Sequence, residues 1–373
     1  MTIDDFAASF EEEPGYLDFA RVGPIGRVVV EEQRAMSDAL ARARFGTIDG
    51  LAEQDERMRA AVSALTGFRP DQVAFQPTTS QALMHAVFGI TGTIAMAATE
   101  FPSLPFAAVR AHEALGAVGV RWLEADERRV TPGVVRDQLD DSVTAVAVSL
   151  VDYRTGYLTD IEGIRQVIGN RLLIVDAIQG FGVVDAPFQV ADVVASGGQK
   201  WIRSGWGTGF LALSDRALEA LTPVFSGFTG SEADGMPMDE VPVPARSARA
   251  FTISNGDLTA EARFAAALEQ IGDVGVRAIR DRIMQHTSRI IDLADEFAIP
   301  VASSRAEHER AGIVVLAPPA EQLTVLSASL HNHGVSATTR AGTVRLSPHA
   351  STSEETFSVL ASALLGYATA VNL

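Results

Sequence analysis

Leu172-Leu-Ile-Val-Asp-Ala-Ile-Gln179 and, a little further on, Ala191-Asp-Val-Val-Ala-Ser-Gly-Gly-Gln-Lys-Trp201 decide how this chain is read. Each contains an apolar run without polar alternation, the mark of a strand buried on both faces. Asp176 follows the first run directly and so falls at the carboxyl edge of a sheet, where α/β proteins bind ligands. Gln179 can project from the same loop. Lys200 follows the short strand Val193–Ala195 among small or neutral neighbours, where desolvation lowers the pKa of an amine and makes it a usable nucleophile. For an arbitrary Asp and Lys, a turn cap and a surface residue are the plain alternatives.

Working outward, the same texture recurs. Strands are expected at Val73–Phe75, Thr93–Ala97, Gly119–Leu123, Val143–Ser149, Leu172–Val175, Val193–Ala195 and Phe210–Leu213, with helices at Ser80–Phe88, Pro105–Leu115 and Ile161–Ile168 between them. This alternation predicts an α/β fold, a three-layer sandwich around a mainly parallel sheet. Ile25 to about Leu65 reads as helical, and Pro223 to Arg246, rich in Gly, Pro, Ser and acidic residues, as a long loop. Beyond it come a helical stretch over Thr259–Phe297, broken near Gly272–Gly275, short strands at Gly312–Leu316 and Thr343–Ser347, and a last helix over about Ser353–Thr369. The expected organisation is a large α/β domain with an N-terminal arm over 1–255 and a smaller α+β domain over 256–373.

Composition narrows the function. The 373 residues carry 47 acidic and 30 basic side chains, a formal charge of −17, which argues against a nucleic-acid or anionic-membrane partner. The chain contains no cysteine, so disulfides, thiolate metal sites and cysteine nucleophiles are excluded. The acidic N-terminus resembles neither a secretory signal nor a transit peptide, and Ala86–Ala98 is too short to span a bilayer. A cytoplasmic enzyme is expected.

Three apparent motifs carry little. Gly205-Trp-Gly-Thr-Gly209 precedes a strand, whereas a phosphate loop opens a helix. His331-Asn-His333 has no Cys or acidic ligand nearby in sequence and reads as a polar helix end. His112-Glu113 lacks the second His of a zinc-protease helix.

Asp176 and Lys200 together suit pyridoxal phosphate (PLP), which needs a Schiff-base lysine and an acid that keeps its pyridine nitrogen protonated. The chain also resembles the class V aminotransferases, fold-type-I PLP enzymes that include cysteine desulfurases, kynureninase and isopenicillin N epimerase. The likeness runs from Tyr16-Leu-Asp18 through Asp-Ala-Ile-Gln, Gly-Gln-Lys-Trp and Gly-Thr-Gly-Phe to Val344-Arg-Leu-Ser-Pro-His349.

That resemblance implies Lys200 as the Schiff-base lysine, Asp176 as partner of the pyridine nitrogen, and Gln179 as donor to the phenolic oxygen. It implies a phosphate site at Thr78, Thr79 and Ser80, which as bare sequence is a good helix N-cap. Gln199 replaces the His common in desulfurases and can still donate to phosphate. Glu100-Phe-Pro-Ser103 is similar to the kynureninase segment whose Phe stacks on the pyridine ring; a core role for Phe101 is the plain alternative. Phe251-Thr-Ile-Ser-Asn255 resembles a segment whose Asn reaches the cofactor phosphate of the other subunit, which implies a homodimer. Val151-Asp-Tyr-Arg-Thr-Gly156 occupies the place of a loop beneath the cofactor, with Tyr153 where many members have Asn. Arg345 matches the Arg that grips the substrate α-carboxylate, with Arg340 a weaker second anion contact; strand alternation alone would also allow a surface Arg345.

These features point to an aminotransferase acting on a small amino acid. A lyase or epimerase on the same scaffold and a non-catalytic scaffold are the other readings. Cysteine desulfuration in its usual form is excluded by the absence of cysteine.

Overall fold

The computed structural model describes residues 1–125, 129–233, 235 and 239–371. The chain opens with α1 (Ile3–Ala7), α2 (Arg27–Arg42) and α3 (Thr47–Thr66). Then come β1 (Val73–Phe75), α4 (Thr79–Phe88), β2 (Gly92–Ala97), α5 (Ser103–Leu115), β3 (Val118–Leu123), α6 (Pro132–Gln138) and β4 (Val143–Ser149). The series continues with α7 (Ile161–Val167), β5 (Leu172–Asp176), β6 (Val193–Gly197), β7 (Gly209–Leu213) and α8 (Asp215–Ala220). The remainder comprises α9 (Leu258–Val274), α10 (Val276–Glu296), β8 (Val314–Leu316), α11 (Leu323–Asn332), β9 (Thr338–Arg340), β10 (Thr343–Leu346) and α12 (Glu354–Val371).

Among the described residues, seven strands form one sheet in the order β1-β7-β6-β5-β4-β2-β3. All neighbours are parallel except β7, which runs antiparallel to both β1 and β6. Period-2 alternation divides the strands between two apolar cores. Val146, Val148, Leu173 and Val175 face one core with Met58, Val62, Phe264 and Leu268 of α3 and α9. Ala145, Ala147, Leu172 and Ile174 face the other with Leu83, Ala86, Leu104 and Ala108 of α4 and α5. Helices therefore cover both faces, and the large unit is a three-layer α/β sandwich.

A second, antiparallel sheet, β8-β10-β9, packs with α10, α11 and α12 around Leu316, Val344, Leu346, Leu330 and Phe357. Leu17 belongs to this core, and Tyr16 and Asp18 form bridges with Ser336 and Ser347. The N-terminal arm thus reaches the smaller unit between α1, whose Phe6 belongs to the first core of the larger unit, and α2. No described helix is long and apolar enough to cross a membrane.

The helical stretch expected over Ile25–Leu65 is two helices. The chain breaks after Arg42, with Ala43 (φ 41°) and Gly46 (φ 80°) in the left-handed region. In the expected loop, Phe228–Gly230 forms one 3-10 turn and Ser231 bridges Pro244; positions 234 and 236–238 lie outside the described residues. Gly205–Gly209 is a turn feeding β7, and His331, next to last in α11, is exposed to solvent.

Candidate cofactor and substrate site

The carboxyl ends of β2, β4, β5 and β6 and the start of α4 meet along one sheet edge. Asp176 is the last residue of β5, in register with Ser149 of β4 and Ala195 of β6. Its side chain is buried. Oδ1 accepts a hydrogen bond from the Ile178 N–H at 3.1 Å, while Oδ2 has no partner among the described residues. Burial pushes this carboxyl up to about 6, against the opposing pull of the Ile178 N–H and the Lys200 charge.

Lys200 is 9% exposed, and Nζ lies 5.4 Å from the centre of the Phe101 ring. Burial lowers its pKa to about 8; Asp176 opposes that shift and Arg345 adds to it. A neutral amine is therefore accessible close to physiological pH. Phe101 is only half-buried and meets Tyr153 edge-on at 5.1 Å, so it stands over the pocket and is not a core residue.

The expected phosphate residues divide by role. Thr78 is exposed and acts as the N-cap of α4: Oγ1 accepts from the Gln81 N–H at 3.1 Å and donates to Gln81 Oε1 at 3.0 Å. Thr79 is buried, and its Oγ1 has no partner among the described residues. Ser80 pairs with Ser103, Oγ to Oγ, at 2.7 Å. Gln199 and Thr79 border Gly197 closely: a Cβ there would stand 2.5 Å from Gln199 Oε1 and 2.8 Å from Thr79 Oγ1. Ser196, fully buried with an unpartnered Oγ, precedes Gly197 in β6 and so points to the opposite face of the sheet, away from Thr79 and Gln199.

Gln179 has prior commitments. Its Oε1 accepts from Trp201 Nε1 at 2.8 Å and its Nε2 donates to the Ala20 carbonyl at 2.9 Å, leaving one amide N–H for a ligand. The arm that supplies Ala20 then presses on the lysine loop at Gly23, where a Cβ would stand 2.0 Å from the Lys200 carbonyl oxygen. Only glycine fits there.

Arg345 is no surface residue; its side chain is 13% exposed. Nη1 donates to the Tyr153 carbonyl at 2.9 Å, and Nη2 approaches Thr338 Oγ1 at 3.3 Å and Asp18 Oδ1 at 3.6 Å. Nε is buried without a partner among the described residues. The Val151–Gly156 loop is tied by Asp152 Oδ1, which accepts from the Arg154 and Thr155 N–H groups and the Thr155 hydroxyl. Asn255 stands apart from these residues, exposed on the segment before α9. Asp18 and Glu100, both buried at the pocket, were not singled out by sequence.

The unpartnered atoms fit PLP. Asp176 Oδ2 is an acceptor for a pyridine N–H, Thr79 supplies a free hydroxyl at a helix N-terminus for phosphate, and Lys200 supplies the amine.

Comparison with known proteins gives the family and the fold. The family described as Aminotransferase class-V matches residues 30–369. The uncharacterized aminotransferase YcbU of Bacillus subtilis is 26% identical over 342 residues, covering 85% of this chain and 87% of that protein. The kynureninase of Deinococcus radiodurans is 28% identical over 281 residues, covering 72% of this chain and 67% of that protein. The cysteine desulfurase of Thermococcus onnurineus superimposes with a TM-score of 0.85 at 19% identity, covering 97% of this chain and 96% of its own. The cystine C–S lyase C-DES does so at 0.84 and 18% identity, covering 94% and 97%.

Proposed function

This chain belongs to the class-V aminotransferase family of PLP-dependent enzymes, and from that premise we propose that it transfers the amino group of a small amino acid through Lys200. The observation that carries the reading is the pairing of a desolvated Lys200 with Asp176, whose buried Oδ2 is unpartnered.

Bound PLP supplies an electron sink for charge left on the substrate Cα. Asp176 Oδ2 would hold the proton on the ring nitrogen, and Gln179 would donate its remaining N–H to the phenolic oxygen. Thr79, Ser80 and Gln199, with the α4 N-terminus and its Thr78 cap, would hold the phosphate. Phe101 would cover one ring face and exclude water there. Lys200 Nζ would be the covalent anchor, and once displaced by the substrate amine it would take a proton from Cα and later return one. Arg345 would direct Nε and its remaining Nη donors at the substrate carboxylate.

Amino transfer is favoured over bond cleavage on the strength of one relative. YcbU, named as an aminotransferase, is similar over most of both chains. The proposal includes a cytoplasmic homodimer, with Asn255 reaching the neighbour's phosphate. The exposure of Phe228, Val241, Val243 and Ile253 on the segment leading to Asn255 supports that arrangement.

Borohydride reduction of the PLP-loaded protein should place phosphopyridoxyl on Lys200, and Lys200→Ala should abolish it; label on another lysine overturns the assignment. Single amino acids without a keto acid should convert the cofactor to its amine form. Release of alanine, pyruvate or sulfide instead would establish a lyase. A monomer with full cofactor occupancy in sedimentation would contradict the dimer.

A further inference from the structure

A second buried carboxyl stands at the Asp176 end of the sheet. Glu100, in the turn after β2, is 7% exposed, and its Oε2 accepts two hydrogen bonds from Ser149, from N–H at 3.1 Å and from Oγ at 2.5 Å. Ser149 ends β4, the strand between β2 and β5, and is the register partner of Asp176. The residue after Glu100 is Phe101, whose ring lies over Lys200 and against Tyr153. Two residues further, Ser103 is joined to Ser80 at the start of α4. This turn is therefore fastened to the sheet edge at 100 and to the anion loop at 103, with Phe101 between the two anchors.

We infer that Glu100 is a positioning residue for the cofactor: it fixes Phe101 over Lys200 and places a second, titratable carboxyl beside Asp176. The inference rests on the PLP reading of the pocket. Nothing in amino transfer requires this carboxyl, and an apolar side chain would bury more cheaply. Burial raises the Glu100 carboxyl to about 8; Asp176 on β5 and Asp152 in the loop after β4 raise it further, and the Ser149 bonds oppose them. Lys200, Arg345 and Asp18 are the other charged groups of the pocket. Glu100 is thus neutral at pH 7 and becomes an anion above its pKa. Negative charge appearing there favours the protonated form of neighbouring groups, including a ring nitrogen held by Asp176.

The test uses the full-length, PLP-loaded protein and two readouts: the PLP dissociation constant, and the cofactor absorption band followed from about pH 6 to about pH 10. Wild type should show an inflection near pH 8. Glu100→Gln keeps an acceptor for Ser149 but has no proton to lose, so the inflection should vanish while PLP affinity stays within about threefold. Glu100→Ala should weaken PLP by about tenfold or more. Ser149→Ala removes a hydrogen bond that favours the anion, so the inflection should move to higher pH. A Glu100→Gln titration that superimposes on wild type, or unchanged PLP affinity in Glu100→Ala, overturns the inference. Should Glu100→Ala fail to fold, the Gln and Ser149 variants still decide. Wild type that binds no PLP at Lys200 defeats the underlying reading; wild type that binds it while Glu100→Gln changes nothing defeats only the role of Glu100.

Discussion

Arg345 Nη2 stands 3.6 Å from Asp18 Oδ1, and Thr338 Oγ1 donates to that same carboxylate oxygen at 2.7 Å. The N-terminal arm thereby holds one prong of the guanidinium, and the Tyr153 carbonyl holds another. The unpartnered Nε is left for a ligand. Arg345→Ala should leave PLP binding and its absorption band intact while weakening amino-acid substrates by about 2–5 kcal/mol. Arg345→Lys should restore only part of this, because a point charge does not reproduce the fork. Asp18→Asn should raise KM more than it lowers kcat. Arg345→Ala should also melt earlier, since the buried Asp18 is left, among the described residues, with only the exposed Arg21 as its cation, at 3.9 Å. Unchanged KM in Arg345→Ala would reduce Arg345 to a clamp for the arm.

Three residues beyond Lys200, Arg203 is fully buried and pairs with Glu12 at 2.5 Å. Its guanidinium stacks 3.7 Å from the Phe10 ring centre, bonds Ser351 at 2.7 Å, and donates to the Pro24 carbonyl. One side chain thus joins the arm, the lysine loop and the smaller unit. Removing either charge alone leaves the other uncompensated, so Arg203→Ala or Glu12→Ala should cost about 3–5 kcal/mol in urea unfolding. Arg203→Met with Glu12→Met should recover much of that loss. A double variant as unstable as the singles would show that the packing, not the lone charge, is what the singles lose.

Much of the frame was legible because its signals are local. β1 and β4 have the bounds their apolar runs give, and β6 runs only two residues further, through Ser196 and Gly197. α6 and α8, at 7 and 6 residues, are too short to establish a helical period. The break at Ala43 is a left-handed alanine, which no Gly or Pro announces at that position. Asp18 and Glu100, although inside quoted motifs, were given no role, and Glu12 went unnoticed, for a different reason. Asp18 acquires its meaning from Arg345, and Glu12 from Arg203 and Ser351, at separations where no motif spacing exists. The resemblance supplied Arg345 but not the carboxylate that orients it.

Glu261 on α9 is buried, with Oε2 unpartnered among the described residues, facing Asp55 and Arg59 of α3. Burial first, then the charges of Asp55 and Asp257, push its carboxyl up to about 8, from an ordinary value of 4.5. The folded state therefore holds a proton that the unfolded chain releases. This contribution is fully present below pH 4.5 and is lost as pH rises toward 8, by at most about 1.4 kcal/mol per pH unit. Glu261→Gln should raise Tm at pH 8 and leave it nearly unchanged at pH 5, flattening the pH dependence in calorimetry. Parallel curves for the two proteins would mean that Glu261 is ionised in the folded state.

Gly197 offers a test of the anion site that touches neither Lys200 nor Asp176. It ends β6 and is fully paired in the sheet opposite Gly209, so the backbone tolerates alanine; its φ is not in the left-handed region. What alanine meets is the pocket: its Cβ would stand 2.5 Å from Gln199 Oε1, 2.8 Å from Thr79 Oγ1 and 3.3 Å from Ile178 Cδ1. The first two are the polar atoms assigned here to phosphate, and the glutamine can swing aside more readily than the threonine at the start of α4. Gly197→Ala should therefore fold with a Tm near wild type but bind PLP about tenfold or more weakly, a loss of about 1.4 kcal/mol or more. Inorganic phosphate should compete with PLP for wild type and much less for the variant. Thr79→Ala, which removes a hydroxyl without adding bulk, should weaken PLP less than Gly197→Ala does. PLP affinity unchanged in both variants would move the phosphate away from the β6–α4 junction.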